Sequence, residues 1–182
     1  MNPSKILLTL AILVLVCCKG TPDKQTTENG SVSLSTQSDS KDPIVLSLDG
    51  KTRTIAEKDR ATDPVNFDET PLRYNFRKNR SEKGKGFEVT FAFSDRDGLS
   101  NLPKTYDLIE DPTLQLMASL SFMDYERKVD KSLNKRLIFN KGKITLYELS
   151  RDRIHFEFEG EVHEMTKMEN RSEVSGSVNV SF

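Results

Sequence analysis

The chain has 182 residues, 30% of them charged and 35% hydrophobic, with 27 Lys and Arg against 28 Asp and Glu. This size suits one domain, the polarity excludes a polytopic helical membrane protein, and a net charge of -1 excludes a nucleic-acid binder held by bulk charge. Two cysteines, adjacent at Cys17 and Cys18, are too few for a disulfide framework or a four-ligand zinc site.

Lys5 precedes an uncharged apolar run from Ile6 to Val16. At about 1.5 Å per residue the run falls short of a ~30 Å hydrocarbon core and suits the apolar region of a signal peptide. Leu15-Val16-Cys17-Cys18 resembles a bacterial lipobox. The resemblance implies that residues 1–17 are removed, that Cys18 is lipidated and becomes the first residue, and that Cys17 is the small residue at the cut. The competing reading is an ordinary secretory peptide cut after Gly20. Lys19 stands where enterobacterial lipoproteins carry Asp for inner-membrane retention, which implies delivery to the outer membrane, facing the periplasm. Surface-displayed lipoproteins of Bacteroidota often have several acids close behind the cysteine. Here only Asp23 stands close behind it, and display on the outer face stays open.

Residues 18–42 form the lipidated cysteine and a tether. Ser, Thr, Asp, Lys and Gln dominate, and only Val32 and Leu34 are sizeable apolar residues, too few to offset the entropy of ordering. Roughly 24 flexible residues reach ~25 to 30 Å, enough to clear the headgroups.

From Pro43 to Phe182 the pattern is short alternating runs, expected to form one antiparallel β-domain. Ile44–Leu48 and Lys51–Ile55 flank Asp49-Gly50, a hairpin signal. Leu72, Tyr74 and Phe76 share a face, as do Phe87, Val89, Phe91 and Phe93, and then Leu114, Leu116, Ala118, Leu120 and Phe122. Asp124 to Leu137 reads as a short helix, with Asp124 as N-cap and Val129, Leu133 and Leu137 at four-residue spacing, and Tyr125 to Arg136 reads nearly as well as a charged hairpin loop. Ile144 and Leu146, then Ile154, Phe156, Phe158 and Val162, then Val174, Val178, Val180 and Phe182 complete the series. The fold class expected is all-β, an antiparallel β-sandwich or a small closed β-barrel.

The last third, Gly142-Lys143-Ile144-Thr145-Leu146, Ile154-His155-Phe156-Glu157-Phe158 and Val174-Ser175-Gly176-Ser177-Val178-Asn179-Val180-Ser181-Phe182, resembles the closing strands of small lipoproteins of Bacteroidota. The resemblance covers about a quarter of the chain. It implies an envelope protein and carries no active site.

Chemistry-bearing clusters are sparse. The two histidines, His155 and His163, would lie ~26 Å apart on one straight strand, too far to share a metal. His155 with Glu157 is a weak metal candidate, set against a solvated strand face rich in Glu. Glu157 and Glu159 have a spacing open to glycoside hydrolysis, but the chain has no Trp for a sugar platform. Asp95 and Asp97, in Asp95-Arg96-Asp97-Gly98-Leu99-Ser100-Asn101, resemble part of a calcium loop that lacks its third acid and distal Glu, and a plain turn is the expectation. No cofactor is expected beyond the lipid on Cys18.

Charge is segregated along the chain. Arg77, Lys78, Arg80, Lys83 and Lys85 stand against Glu82, and Asp124 to Lys143 holds seven bases and three acids, whereas Ile144 to Phe182 holds eight acids and four bases. If the two basic loops meet at one end of the domain, they form a patch for an anionic partner such as lipopolysaccharide phosphates or an acidic protein surface; otherwise they simply keep a tethered domain soluble. The leading expectation is a lipid-anchored, non-enzymatic envelope protein that binds or supports another envelope component. The alternative is a lipocalin-like carrier with a small apolar ligand among Phe87, Phe91, Phe93, Phe156 and Phe158. A transmembrane barrel is a third reading, which the short strands count against.

Overall fold

A computed structural model describes residues 43–78 and 86–182 of the chain. The sequence resolves into ten strands, all antiparallel, and the β-sandwich alternative gives way to a nearly closed barrel. β1 (Ile44–Leu48) and β2 (Lys51–Ile55) pair across Asp49 and Gly50, whose φ of 50° and 71° supply the two left-handed residues of a type I′ turn. β3 (Arg60–Thr62) follows β2 after a 3-10 turn at Glu57–Asp59. Then come β4 (Leu72–Lys78), β5 (Phe87–Phe93), β6 (Lys104–Asp107), β7 (Ala118–Asp124), β8 (Arg136–Leu149), β9 (Arg153–Glu164) and β10 (Lys167–Ser181).

The sheet order is β2-β1-β10-β9-β8-β7-β5-β4-β3, with β6 beside β8. Because β3 continues β2 along the chain, this order returns to its start, and the barrel is an up-and-down meander. Two contacts draw the ends of the sheet together: Arg60 Nη2 donates to the Ser181 carbonyl oxygen at 2.8 Å, and the Phe182 ring stacks on Tyr74 of β4 at 5.9 Å. Closure removes the long unpaired edges that invite aggregation. β7 and β6 share one edge of β8, β7 along Arg136–Ile138 and β6 along Lys143–Leu146.

The alternation decides what faces inward. Ile44, Leu46, Tyr74, Phe76, Val89, Phe91, Phe93, Leu120, Phe122, Ile144, Leu146, Ile154, Phe156, Val178 and Val180 are all buried, while the intervening residues form the outer surface. Rings from opposite walls meet inside: Phe91 of β5 lies 4.5 Å from Phe156 of β9, and Phe158 packs on Phe122 and Phe139. The five phenylalanines expected to line a carrier are therefore all buried, and Phe91, Phe93, Phe156 and Phe158 pack ring on ring where a ligand would sit. Outward positions on β9 carry His155, Glu157, Glu159 and Glu161, the reverse of the apolar outer band of a transmembrane barrel.

Two sequence expectations are corrected. Asp124 to Leu137 is not a helix: Asp124 ends β7, Leu137 belongs to the inner face of β8, and between them runs a connection with one 3-10 turn at Ser132–Lys135. The four-residue spacing was accidental, since Leu133 is exposed while Leu137 is buried. Likewise Leu114 and Leu116 do not extend β7. Asp111 caps a 3-10 turn at Pro112–Leu116 by accepting from the Thr113 amide, and Leu116 is 81% exposed. Proline at the first position suits a turn and breaks a strand ladder.

The Tyr74 hydroxyl is buried without a hydrogen-bond partner. Removing an unpaired buried polar group relieves its desolvation cost, so Tyr74→Phe is expected to leave stability at pH 8 unchanged or raise it by up to about 1 kcal/mol. Burial pushes the phenol up to about 12, with Arg96 opposing. The folded state therefore holds its proton where the unfolded chain loses it, and this contribution is present below pH ~10 and lost as pH rises through about 12. Urea midpoints at pH 8 and pH 11 check this: Tyr74→Phe should fall less between them than the parent chain does.

Candidate functional site

The meander sends its connections to two ends. Pro43, the β3–β4, β5–β6 and β6–β7 connections, the β8–β9 turn and Phe182 lie at one. The β1–β2 turn, the β4–β5 and β7–β8 connections and the β9–β10 turn lie at the other. The second end holds Lys78, at the end of β4, and the basic β7–β8 connection. The β7–β8 connection is tied to the described edge of the β4–β5 connection, where the Tyr125 amide donates to the Gly86 carbonyl at 3.0 Å and its hydroxyl to Glu88 at 3.1 Å. It is tied equally to the β9–β10 turn. Asn134 Oδ1 accepts from the Thr166 amide at 3.1 Å, the Met165 amide donates to the Arg136 carbonyl at 3.2 Å, and Lys167 pairs with Asp130 at 2.9 Å.

Two inward-facing acids sit at this end; the sequence pattern reads Asp124 as a helix cap and passes over Glu164. Asp124 is the last inward position of β7 and Glu164 the last of β9, each 4% exposed. Each has its own guanidinium: Arg53 Nη1 lies 2.8 Å from Asp124 Oδ1, and Arg127 Nη2 lies 2.8 Å from Glu164 Oε1. The hydrogen bond to Asp124 holds Arg53 above its ordinary value against the opposing effect of burial. Neutralised in this way, the acids add no free negative charge to the end. Strand parity was the available signal, because continuing the inward series from Leu120 and Phe122, or from Phe158 and Val162, lands on them.

Of the basic patch predicted on Arg77, Lys78, Arg80, Lys83 and Lys85, the last three lie outside the described residues. Arg77 pairs with Asp63, and Lys78 is exposed. Lys128, Lys131 and Arg136 are exposed on the facing connection, with Glu126 the exposed acid beside them, while Asp130 is taken by Lys167 and Asn134. Within the described residues, Lys78 and the β7–β8 connection share this end.

Three of the four metal candidates, Asp95, His155 and Glu157, are engaged in other contacts. Asp95 accepts from Lys104 Nζ at 2.6 Å, from the Tyr106 hydroxyl at 2.8 Å and from the Gly98 amide at 3.1 Å. The Lys104 contact, then that of Tyr106, holds the Asp95 carboxyl below its ordinary range, and Asp95 pins β6 to the end of β5. Asp97 starts a 3-10 turn. His155 stacks on Tyr147 at 4.7 Å, and burial lowers its pKa. Tyr147 donates to Glu157 at 3.0 Å, which ties the candidate pair to an aromatic. His163 departs from the expected solvated face: it is 8% exposed, with Nδ1 2.9 Å from the Glu164 carbonyl oxygen. Among the described residues no group of three or more acids, histidines or cysteines is placed to hold a metal.

Two concavities lie elsewhere. An open groove of about 560 Å³ runs over the outer face where Gly142 and Gly160 oppose one another, bordered by Lys143, Glu159, Glu161, Glu173 and Ile109. Two of its charged residues are mated, Glu161 with Lys141 and Arg171, and Lys143 with Asp107. A smaller hollow of about 270 Å³ at the Pro43 end lies between Val65, Phe67, Arg151 and Phe182. No protein-family model matches the chain, and neither a curated protein nor a solved structure matches it.

Proposed function

We propose that this chain is a lipid-anchored protein of the cell envelope, held through Cys18 at the outer membrane and facing the periplasm. Its barrel acts without catalysis, binding an anionic envelope component, either a protein or a glycolipid, at its basic end. What supports the reading is one observation: Lys78, at the end of β4, lies at the same end of the barrel as the basic β7–β8 connection, whose Tyr125 amide donates to the Gly86 carbonyl. The chain enters β1 from Pro43, at the opposite end. The paired acids at this end strengthen the case for binding over chemistry, because a carboxylate mated to arginine is a poor general acid or base.

Both halves of the proposal have direct tests. Radiolabelled palmitate is expected to enter the parent chain and not Cys18→Ala, and equal labelling of the two would sink the anchor. Lys128→Glu/Lys131→Glu is expected to weaken binding of inorganic polyphosphate by about tenfold at low salt, with the effect fading as salt rises. Unchanged binding would remove the basic end as the site.

A further inference from the structure

The basic end carries apolar side chains that an anion alone does not explain. Leu133 is 54% exposed, Met165 48% and Met168 66%. Each stands beside bases: Leu133 between Lys131 and Lys135, and the two methionines on either side of Lys167. They come from different connections, yet Asn134 bonded to Thr166, Lys167 to Asp130 and the Met165 amide to the Arg136 carbonyl hold those connections together. The segments that bear these side chains are thus tied together before any partner arrives, so ordering them costs little at binding.

We propose that the partner of this end is the phosphate face of an anionic phospholipid bilayer, with Leu133, Met165 and Met168 entering the headgroup layer and Lys128, Lys131 and Arg136 resting at the level of the phosphates. The proposal rests on the reading of the basic end as an anion site and puts a phospholipid surface in place of the protein or glycolipid. Charge complementarity draws the end to the surface, and protruding apolar side chains flanked by lysines are what an interface with an apolar interior below its charges rewards. A soluble polyanion such as polyphosphate would use the lysines and gain nothing from the methionines. Lys135 donates to the Tyr125 carbonyl at 2.5 Å, which keeps the turn bearing Leu133 in place.

The chain has no tryptophan, so a single indole reports from wherever it is put. Full-length protein carrying Met165→Trp is mixed with phosphatidylcholine vesicles and with vesicles containing phosphatidylglycerol, each made with and without brominated acyl chains. Whatever holds the N-terminus, the indole reads only this end. Brominated lipid is expected to quench it about threefold in the phosphatidylglycerol vesicles and little in phosphatidylcholine alone, since insertion requires both charge and apolar entry. Lys128→Glu/Lys131→Glu should abolish the quenching. Leu133→Asn/Met168→Gln should cut it while leaving polyphosphate binding intact, and unchanged thermal unfolding of these exposed variants would show that the fold is retained. Polyphosphate binding without quenching in phosphatidylglycerol vesicles overturns the bilayer as partner and points to a soluble acidic partner. Loss of both in the parent chain overturns the basic end itself.

Discussion

Gly142→Ala and Gly160→Ala are each expected to destabilise the barrel by more than ~4 kcal/mol and to remove most soluble protein, although either change adds a single methyl group. The two glycines face one another across β8 and β9. A Cβ on Gly142 would stand 2.1 Å from the Glu159 carbonyl oxygen, and one on Gly160 would stand 2.0 Å from that of Lys141. Both obstacles are backbone, so no rotamer change relieves them, and Gly142 also holds a φ of +135°. The close approach comes where the β8–β9 register shifts between Phe139 and Lys141 and where the Gly142 carbonyl accepts from the Leu108 amide at 2.8 Å, just past the end of β6. This is the point at which β8 passes from β7 to β6 as its neighbour. Gly86→Ala is the control. Its φ is +72° but nothing lies within 4 Å of the added carbon, so only the conformational cost of about 1 kcal/mol applies. Urea unfolding of the three variants should rank them in that order. A midpoint for Gly142→Ala equal to that of Gly86→Ala would show that the strands can separate at this point without cost.

How legible the barrel was in the sequence depends on how many apolar residues mark each strand. β5, with Phe87, Val89, Phe91 and Phe93 all inward, is legible from period two alone, and Asp49-Gly50 announces its turn by the φ values it must adopt. β3 and β6 each bury a single side chain, Ala61 and Tyr106, and one residue has no period to detect. Yet β3 completes the ring and β6 extends the wall, so the choice between sandwich and barrel rested on the two strands with the least signal. The opposite error arose at Leu114 and Leu116, where alternation continued past the strand because pattern alone does not see that Asp111 and Pro112 start a turn. At the basic end, composition marked both charged stretches, but that Lys78 and the β7–β8 connection share an end is a product of the meander. Asp124 was read as a helix cap because it precedes a run of helix formers, whereas its position after Leu120 and Phe122 on the same face governs its role.

That role gives the second large effect. Arg53→Met is expected to cost about 3 to 5 kcal/mol, because it leaves the Asp124 carboxylate, with 6% of its side chain exposed, without the cation 2.8 Å away. Arg53 comes from β2 and Asp124 from β7, which are not neighbours in the sheet, so the pair spans the mouth of the barrel at its basic end. Arg53→Met/Asp124→Leu should recover to within about 1 kcal/mol of the parent, since replacing both charges by apolar groups removes the desolvation penalty along with the attraction. A single-variant cost below about 1 kcal/mol would mean that water reaches the carboxylate and that the pair is only a surface contact. The same cycle on Arg127 and Glu164 carries a further consequence, because Arg127 lies in the connection that bears Lys128, Lys131 and Leu133. Arg127→Met should both destabilise the barrel and speed proteolysis within residues 125–135. Arg53→Met, which leaves that connection tied through Asn134 and Lys167, should destabilise without the added cleavage. If the two variants are cleaved alike at this connection, its order comes from the barrel as a whole rather than from the Arg127 pair.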